Sequence, residues 1–459
     1  MRKFKYLFSV LLVFLMVFSV LNNIVYSVDV NETIYVSTSG NDTNNGLSPD
    51  TSKRTIQNAL DIAKDGDVIK VSNGTYKEHV IIHKNVFLVG ENREKTIIDG
   101  TNNGTTVMIE TDAIVSLNDF TIKKGKANYG GGIHNQGQLT MTNTIIKDNK
   151  AIYSGAGVFN EGFLALENSI IQNNEANSNG GGIYNRNTSI MTNTIFNSNK
   201  GITGGGIMNS GALTLKGSNV ISNKASHNGG GIYNQNIFNM TNTTLKGNEA
   251  VNGGGMANTC NSNLNNCTFY KNKAKSDGGG IYTKGNLVIC TTKIMENKAK
   301  NGGGTYNWQS LNITNSSFVY NAANEDGGGI YNWGVLNIMY SNITHNSVKW
   351  GGGGVNNWGN AKILYSNVND NKAGREGGGI YNGNVIRIDN TTIQVNKADN
   401  GGGVYNNRFL TLLQSQTTGN QAKNNGGGIY NNDILNLDDE TSIIGNKPNN
   451  NYGNPPNNV

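Results

Sequence analysis

The chain has 459 residues, of which 82 are Asn, 61 are Gly and 15% are charged, with a formal net charge of +6. Glycine follows no every-third pattern, which excludes a collagen triple helix, and the regularly placed aliphatic residues exclude a disordered Asn-rich tract. Since Arg2, Lys3 and Lys5 supply half of the net charge, the remainder is too weakly basic for a nucleic-acid-binding protein.

The first 27 residues have the pattern of a secretory signal. Three basic residues precede an apolar run from Tyr6 to Leu21, and the small residue Ser27 stands where signal peptidase would cut. We therefore predict a signal peptide over 1–27 and a secreted or cell-surface protein, with no transmembrane segment in the mature chain. A retained membrane anchor is the alternative, because the apolar run is near the short limit for spanning a bilayer.

Residues 28–128 precede the regular repeat and are predicted to form an N-terminal cap and irregular first coils. Ile56, Ala59, Leu60 and Ala63 follow the i, i+3, i+4, i+7 spacing of an amphipathic helix. A solenoid end exposes apolar surface and unpaired strand edges, so this helix is assigned the capping role. Strand-like pairs predict the irregular coils: Val68/Ile69/Val71, Val80/Ile82, Val86/Leu88 and Ile97/Ile98.

Residues 129–447 form a tandem repeat of thirteen copies, each marked by a Gly-rich triplet. With the last glycine of each triplet as position zero, positions +1 and +9 are almost always aliphatic or Met, and +14 is mostly aliphatic or Phe. The apolar positions +7 and +9 differ by two, which is the strand period. Leucine-rich repeats need a Leu-x-x-Leu-x-Leu run and a helical half, and the repeat has neither. The pattern predicts an all-β solenoid, a single-stranded parallel β-helix of about 24–25 residues per coil with three short strands in each. The zero positions are Gly132, Gly157, Gly182, Gly206, Gly231, Gly255, Gly280, Gly304, Gly329, Gly354, Gly379, Gly403 and Gly428.

Two asparagine columns support the solenoid. Position +3 is Asn in twelve of the thirteen copies, with Thr283 the exception, and position +17 is Asn in twelve as well. Asn tolerates the left-handed backbone of a tight bend, and its amide can hydrogen-bond to the same amide of the next coil. We therefore expect stacked Asn ladders. The Asn- and Pro-rich residues 448–459 are predicted to be a disordered tail.

Six short stretches near the N-terminus resemble the signature of right-handed parallel β-helix proteins of the pectate-lyase-like superfamily: Tyr35–Ser37, Ser39–Asp42, Thr55–Gln57, Ala59–Leu60, Gly66–Asp67 and Gly74–Tyr76. The Gly-Gly-Gly-Ile-Tyr-Asn unit with its downstream aliphatic-x-x-Asn resembles the repeats of polymorphic outer-membrane proteins. It is equally similar to Asn/Thr-rich adhesin-like surface proteins of archaea. These resemblances imply a right-handed β-helix and an adhesin-like structural or binding protein. Surface glycans or cell-surface proteins are its expected partners, and it needs no cofactor.

The same superfamily contains polysaccharide lyases and glycoside hydrolases, so an enzyme is the alternative function. Asp277, Asp326 and Glu376 precede Gly triplets in one column at alternate coils, about 10 Å apart, which is slightly wide for an inverting glycosidase pair. A lyase would need a base with a charge-neutralising group or Ca²⁺. Asn occupies the same column in other coils, so these acids are weak catalytic candidates and are more simply turn residues before glycine.

A second candidate site is aromatic. Trp308, Trp333 and Trp358 occupy position +4 of three consecutive coils, and position +2 holds Tyr306, Tyr331 and Tyr381 around them. Alternation from the inward +1 residue places both columns outside the core, where aromatic faces could bind a glycan or partner. The alternative is that the Trp rings bury one another as a ladder.

The three cysteines, Cys260, Cys267 and Cys290, are too few for a disulfide framework. One bridge is possible, and three packed or surface thiols are the simpler expectation. No Cys or His spacing indicates a metal site.

Overall fold

The computed structural model describes residues 32–459, so the predicted signal over 1–27 lies outside the described residues. The described chain is a parallel β-helix in which each regular coil adds one strand to each of four parallel sheets. Ile133, His134 and Asn135, for example, pair in parallel with Val158, Phe159 and Asn160 one coil later. The predicted all-β parallel solenoid is confirmed.

Sheet 1 contains the strands that follow the Gly triplets, and it begins in the irregular coils. Its strands are Val80–Ile82, Val107–Ile109, Ile133–Asn135, Val158–Asn160, Ile183–Asn185, Ile207–Asn209, Ile232–Asn234, Met256–Asn258, Ile281–Thr283, Thr305–Asn307, Ile330–Asn332, Val355–Asn357, Ile380–Asn382, Val404–Asn406, Ile429–Asn431 and Asn451–Gly453.

Sheet 2 has strands of mostly four or five residues and includes the first strand of the described chain. Its strands are Thr33–Val36, Val68–Val71, Val86–Gly90, Ile114–Asn118, Gln138–Thr142, Phe163–Glu167, Thr188–Thr192, Ala212–Lys216, Phe238–Thr241, Ser262–Asn265, Asn286–Cys290, Ser310–Thr314, Val335–Met339, Asn360–Leu364, Val385–Asp389, Phe409–Leu413, Ile434–Leu437 and Asn457–Asn458.

Sheet 3 contains the strands around position +14. Its strands are Gly74–Tyr76, Thr96–Asp99, Thr121–Lys123, Ile145–Lys147, Ile170–Gln172, Ile195–Asn197, Asn219–Ile221, Thr244–Lys246, Thr268–Tyr270, Lys293–Met295, Ser317–Val319, Asn342–Thr344, Asn367–Asn369, Thr392–Gln394, Gln416–Thr418 and Ser442–Ile444.

Sheet 4 was not predicted, because seven of its thirteen strands are only two residues long and five of these bury a single Ala, which leaves no aliphatic signal. Its strands are Lys126–Tyr129, Lys150–Ser154, Glu175–Ala176, Lys200–Thr203, Lys224–Asn228, Glu249–Ala250, Lys273–Ala274, Lys298–Ala299, Ala322–Ala323, Ser347–Val348, Lys372–Ala373, Lys397–Asn400 and Gln421–Asn425.

The hydrophobic core fills the inside of the coils. In the coil after Gly329, the residues at +1, +9 and +14 are Ile330, Ile338 and Ile343, and none is more than 1% exposed. Full burial of each such side chain contributes roughly 1.5–3 kcal/mol. The apolar columns predicted from the sequence are therefore the core.

The Gly triplet forms the tight bend that leads into each strand of sheet 1. Gly327 has φ +66°, in the left-handed region that favours glycine. A Cβ on Gly329 would lie 2.6 Å from the carbonyl oxygen of Gly354 in the next coil. Both the bend and the coil-to-coil contact thus require residues without a side chain.

Both Asn columns form the predicted ladders inside the corners of the coil. At position +3, each Nδ2 donates to the Oδ1 one coil later at 2.7–2.9 Å wherever two Asn follow one another. At position +17 the same contact measures 2.9–3.1 Å. These side chains are buried, so the ladders satisfy polar groups that water cannot reach.

The predicted N-terminal helix spans Ile56–Ile62, after a single 3₁₀ turn at Pro49–Thr51. Thr55 caps it, its Oγ1 accepting a hydrogen bond from the Asn58 amide at 3.3 Å. Ile56, Ala59 and Leu60 are buried, and the helix packs on the first strands of sheets 1 and 2. The capping helix is confirmed.

The C-terminal residues differ from the predicted disordered tail. Asn451–Gly453 pairs with Ile429–Asn431, and Asn457–Asn458 pairs with the end of Ile434–Leu437. An existing strand edge needs only backbone groups from its partner, so polar Asn residues can extend it without an apolar side chain. Within residues 32–459, no helix is long and apolar enough to cross a membrane.

Candidate functional site

Sheet 1 carries a continuous aromatic surface over four coils. We call Tyr306, Trp308, Tyr331, Trp333, Trp358 and Tyr381 the aromatic face. Strand alternation places it outside the core, because the +1 and +3 residues of each coil, such as Ile330 and Asn332, are fully buried inside.

The three Trp rings form a stacked ladder that still meets solvent. Trp308 and Trp333 have ring centroids 5.9 Å apart with planes at 12°, and Trp333 and Trp358 are 5.8 Å apart at 26°. The side chains remain 45%, 42% and 38% exposed in chain order. The rings therefore cover part of one another's faces, as a ladder would, and remain partly exposed.

The tyrosines of the aromatic face are buried, although they lie outside the core. Tyr306, Tyr331 and Tyr381 are only 5%, 8% and 7% exposed. Tyr306 and Tyr331 stack at 4.8 Å and 11°, and each Tyr also lies within 6.0 Å of a Trp ring. They form the floor beneath the Trp ladder and do not present a binding face themselves. The alternation of side chains along a strand predicts which side of the sheet a residue lies on, but it does not predict which neighbouring side chains cover that residue.

The acidic column lies beside this floor. Asp277 Oδ1 accepts a hydrogen bond from Asn301 Nδ2 at 3.0 Å, and Asp326 Oδ1 accepts one from the Gly351 amide at 3.1 Å. Asp277, Asp326 and Glu376 are all partly buried. The salt bridges of the described residues include none of the three.

The pKa shifts of Asp326, Glu376 and Tyr381 show that the acidic column and the buried tyrosines lie in the same partly buried environment. Burial raises the pKa of Asp326, and the nearby Glu325 carboxylate adds to the effect. Burial also raises the pKa of Glu376, while Arg375 opposes the shift. Burial raises the pKa of Tyr381 to about 12, and the charges of Glu376 and Asp326 contribute. Half-buried carboxylates therefore sit against aromatic rings without a basic counter-ion in salt-bridge contact.

The candidate catalytic acids are not brought into a close pair. Asp326 and Glu376 stay in the same column two coils apart, with Gly351 between them, a separation of about 10 Å. Inverting glycosidases hold their two carboxyl groups at roughly 6.5–9.5 Å. Within residues 32–459, no group of three or more His, Cys, Asp or Glu side chains could hold a metal ion. The arrangement offers hydrogen-bond acceptors beside partly exposed indole rings.

The three cysteines are free thiols. Cys267 is buried, and burial raises the pKa of its thiol to about 11. It therefore behaves as a small apolar side chain of the core, as the simpler sequence-based expectation held.

The sequence analysis missed a second exposed aromatic pair. Tyr340 and Tyr365 stack with centroids 5.2 Å apart and planes at 16°, and they are 54% and 50% exposed. Both have positive φ, +50° and +48°, at a corner where most coils place Asn. The sequence does contain a sign of this pair, because Tyr340 and Tyr365 are aromatic residues in a column that is otherwise mostly Asn.

Two stretches of the chain, residues 168–186 and 266–284, match the Chlamydia polymorphic membrane protein (Chlamydia_PMP) repeat. Each includes a strand of sheet 3, the Gly triplet and a strand of sheet 1, which is part of the repeat unit recognised in the sequence. A comparison with curated protein sequences finds no significant match.

Three solved structures align with this chain at low sequence identity. A pectate lyase is 14% identical and aligns over 68% of this chain and 76% of its own, with a TM-score of 0.34. The pectin methylesterase of Erwinia chrysanthemi is 11% identical over 77% and 81%, with a TM-score of 0.17. A lacto-N-biosidase from Eubacterium ramulus is 10% identical over 92% and 68%, with a TM-score of 0.23. The described chain is a parallel β-helix, and two of its stretches are similar to the polymorphic membrane protein repeat.

Proposed function

We propose that this protein is a secreted or cell-surface adhesin-like protein that binds surface glycans or cell-surface proteins through the edges of its Trp ladder. The similarity to a repeat of Chlamydia polymorphic membrane proteins supports a surface role. The observation that carries the binding role is the exposed edge of Trp308, Trp333 and Trp358 on a rigid sheet.

The ladder has the properties of a binding surface rather than of packing alone. The other ten coils place Gln, Glu, Arg, Ser, Thr, Lys, Gly or Asn at position +4, so the fold does not need an aromatic residue there. Indole edges carry an N–H donor beside apolar area, and Trp is favoured at interfaces. The buried tyrosines hold the ladder from below.

A glycan array with the purified mature chain tests the proposal. The triple variant Trp308→Gln, Trp333→Gln, Trp358→Gln should lose retention while keeping its circular dichroism spectrum, since Gln136 and Gln235 occupy the same position in other coils. Tyr340→Ala, an exposed aromatic outside the aromatic face, is the matched control and should bind normally. Unchanged retention by the triple variant would refute the role of the ladder.

A polysaccharide lyase or glycoside hydrolase is the second candidate, and the raised pKa of Asp326 beside aromatic rings favours it. The same samples, incubated with acidic polysaccharides with and without Ca²⁺, would reveal released unsaturated or reducing ends. Release that disappears in Asp326→Asn would assign catalysis. Retention without release supports the binding protein.

A further inference from the structure

The first coils of sheet 4 expose four large apolar side chains. The exposed fractions of these residues range from 38% to 50%, and we call them the apolar patch: Tyr129, Ile152, Tyr153 and Ile202. Tyr129 and Tyr153 come from neighbouring coils, and their ring centroids lie 5.3 Å apart. Ile152 and Ile202 occupy the same position of the repeat two coils apart, or about 10 Å. The apolar patch therefore belongs to one sheet and to four consecutive coils.

The fold does not require the apolar patch. Asn177 occupies the position of Ile152 one coil later. Ser178 likewise occupies the position of Tyr153. Apolar area is unfavourable in water, and neighbouring exposed apolar side chains on a folded protein mark an interaction surface. The apolar patch is thus a property of these coils and not of the repeat.

Exposed lysines border the apolar patch on the strands of the same sheet. Lys126 pairs in register with Lys150, and Lys200 pairs in register with Lys224. We call these four residues the lysine row; Glu175 separates its two pairs. Like charges one coil apart repel each other. Of the lysine row, only Lys224 takes part in a salt bridge of the described residues, with a glutamate at 3.1 Å.

Apolar and basic side chains on one surface favour an anionic lipid bilayer as the partner. Lysine is depleted in the interfaces of protein complexes, whereas anionic headgroups attract it and its long stem lets the ammonium reach them. Tyrosine is enriched at membrane–water boundaries, and aliphatic side chains gain by entering the edge of the acyl region. A soluble anionic polysaccharide would pair with the lysines but would leave the two isoleucines in water.

We propose that the apolar patch and the lysine row dock this protein on an anionic lipid surface. The contact is peripheral, with the apolar side chains at the headgroup boundary and the ammonium groups on the headgroups. It uses sheet 4 in the first repeats, whereas the Trp ladder lies beside the sheet 1 strands of later coils. Membrane docking is therefore independent of the proposed binding through the ladder.

Co-sedimentation of the mature chain with lipid vesicles tests this assignment. Vesicles of equal parts phosphatidylcholine and phosphatidylglycerol should pellet the protein at low salt, and vesicles of phosphatidylcholine alone should bind it at least about tenfold more weakly. The double variant Ile152→Asn, Tyr153→Ser carries the residue types of the next coil, so it should fold and should bind at least about tenfold more weakly. The double variant Lys150→Gln, Lys200→Gln should lose as much, and Gln421 pairs with the strand of the preceding coil at the equivalent position.

Ile237→Asn and Lys362→Gln are the matched controls. Both residues are exposed; Ile237 directly precedes the sheet 2 strand Phe238–Thr241, and Lys362 lies in the sheet 2 strand Asn360–Leu364. Each variant makes the same type of exchange away from sheet 4 and should bind vesicles like the wild type. Circular dichroism verifies that every variant is folded.

The outcomes separate the lipid contact from the ladder. Absence of vesicle binding, equal binding to both vesicle types, or unchanged binding by either double variant would overturn the assignment. Loss of vesicle binding in the Trp triple variant would also overturn it, because the contact would then lie at the ladder. Retention of polyglutamate through the same residues without vesicle binding would replace the lipid by an acidic protein. A negative glycan array with intact vesicle binding would refute the proposed function alone.

Discussion

Thr283 and Asn307 mark the one interruption of the +3 Asn ladder. The Thr283 hydroxyl donates to the Gly285 carbonyl at 3.1 Å, so it has no hydrogen left for the next coil. Asn307 Oδ1 is consequently buried without a hydrogen-bond partner. A single residue of the column thus leaves an unsatisfied acceptor one coil further along.

Thr283→Asn should repair the ladder and stabilise the protein by about 1 kcal/mol, the net value of one buried hydrogen bond. The new Nδ2 can reach Asn307 Oδ1 and still donate to Gly285, as Asn332 does to Gly334 at 3.0 Å. Urea unfolding followed by circular dichroism measures the change. Thr283→Val, which removes the hydroxyl, should shift the midpoint the opposite way; a midpoint at or below wild type for Thr283→Asn would contradict the explanation.

Substitutions in the Asn ladder at position +17 should be tolerated far less well than substitutions in the ladder at position +3. Asn321 Oδ1 accepts from the backbone N and Nδ2 of Asn297 at 3.1 and 3.0 Å, and its Nδ2 donates to Asn346 Oδ1 and the Ile294 carbonyl. Asn321→Ala leaves several of these buried groups without partners, each at about 1–3 kcal/mol. We expect a loss of roughly 3 kcal/mol or more in the free energy of unfolding.

Asn342→Ala is the matched control for Asn321→Ala. Asn342 begins the sheet 3 strand Asn342–Thr344, and its Oδ1 accepts from Asn367 Nδ2 at 2.8 Å, but the pair is exposed. Water replaces the lost bond, so the change should stay within about 0.5 kcal/mol. Equal effects of the two variants in the same urea titration would mean that burial does not set the strength of the ladder.

The sequence predicts the repeating parts of this fold because each column is sampled thirteen times. Ile330 belongs to a column that is almost entirely aliphatic, and Asn332 to one that is almost entirely Asn, so position inside the coil follows from the pattern alone. The helix at Ile56–Ile62 follows from its own apolar spacing. Local, repeated signals are sufficient for these features.

Features that depend on contacts between neighbouring coils cannot be predicted from these column patterns. Tyr331 is buried because Trp333 and the adjacent Tyr306 cover it, and no alternation rule contains that information. Gly351 and Asn356 are visible in the sequence only as departures from two columns, and the hydrogen bonds of Asn356 to Asp326 and Gly351 need the structure. The residues of the aromatic face could thus be named from the sequence, while the burial of its tyrosines required the structure.

Asp326 should make stability depend on pH. Burial raises the pKa of its carboxyl above the ordinary value of 3.8, so the folded state holds this proton more tightly than the unfolded state. That contribution is present below about pH 4 and is lost as the pH rises through the raised pKa. Asp326→Asn removes it and keeps the Oδ1 acceptor, so the melting temperature of the variant relative to wild type should increase from pH 4 to pH 7. A constant difference across this range would exclude the linkage.

Val395 places a β-branched side chain where the backbone is left-handed. Its φ is +57°, and the equivalent corner holds Asn173 and Gly247 in other coils, which adopt this region readily. The side chain is 45% exposed, so little burial offsets the strain. Val395→Asn should therefore stabilise the protein by about 1 kcal/mol.

Val335→Asn supplies the control, because Val335 is 43% exposed in a regular strand, where β-branched residues are favoured and the exchange should cost a few tenths of a kcal/mol. Thermal melts of both variants decide the matter: a gain for Val395→Asn with a loss for Val335→Asn locates the strain at the corner, whereas two losses would show that the left-handed Val is already relaxed by its neighbours.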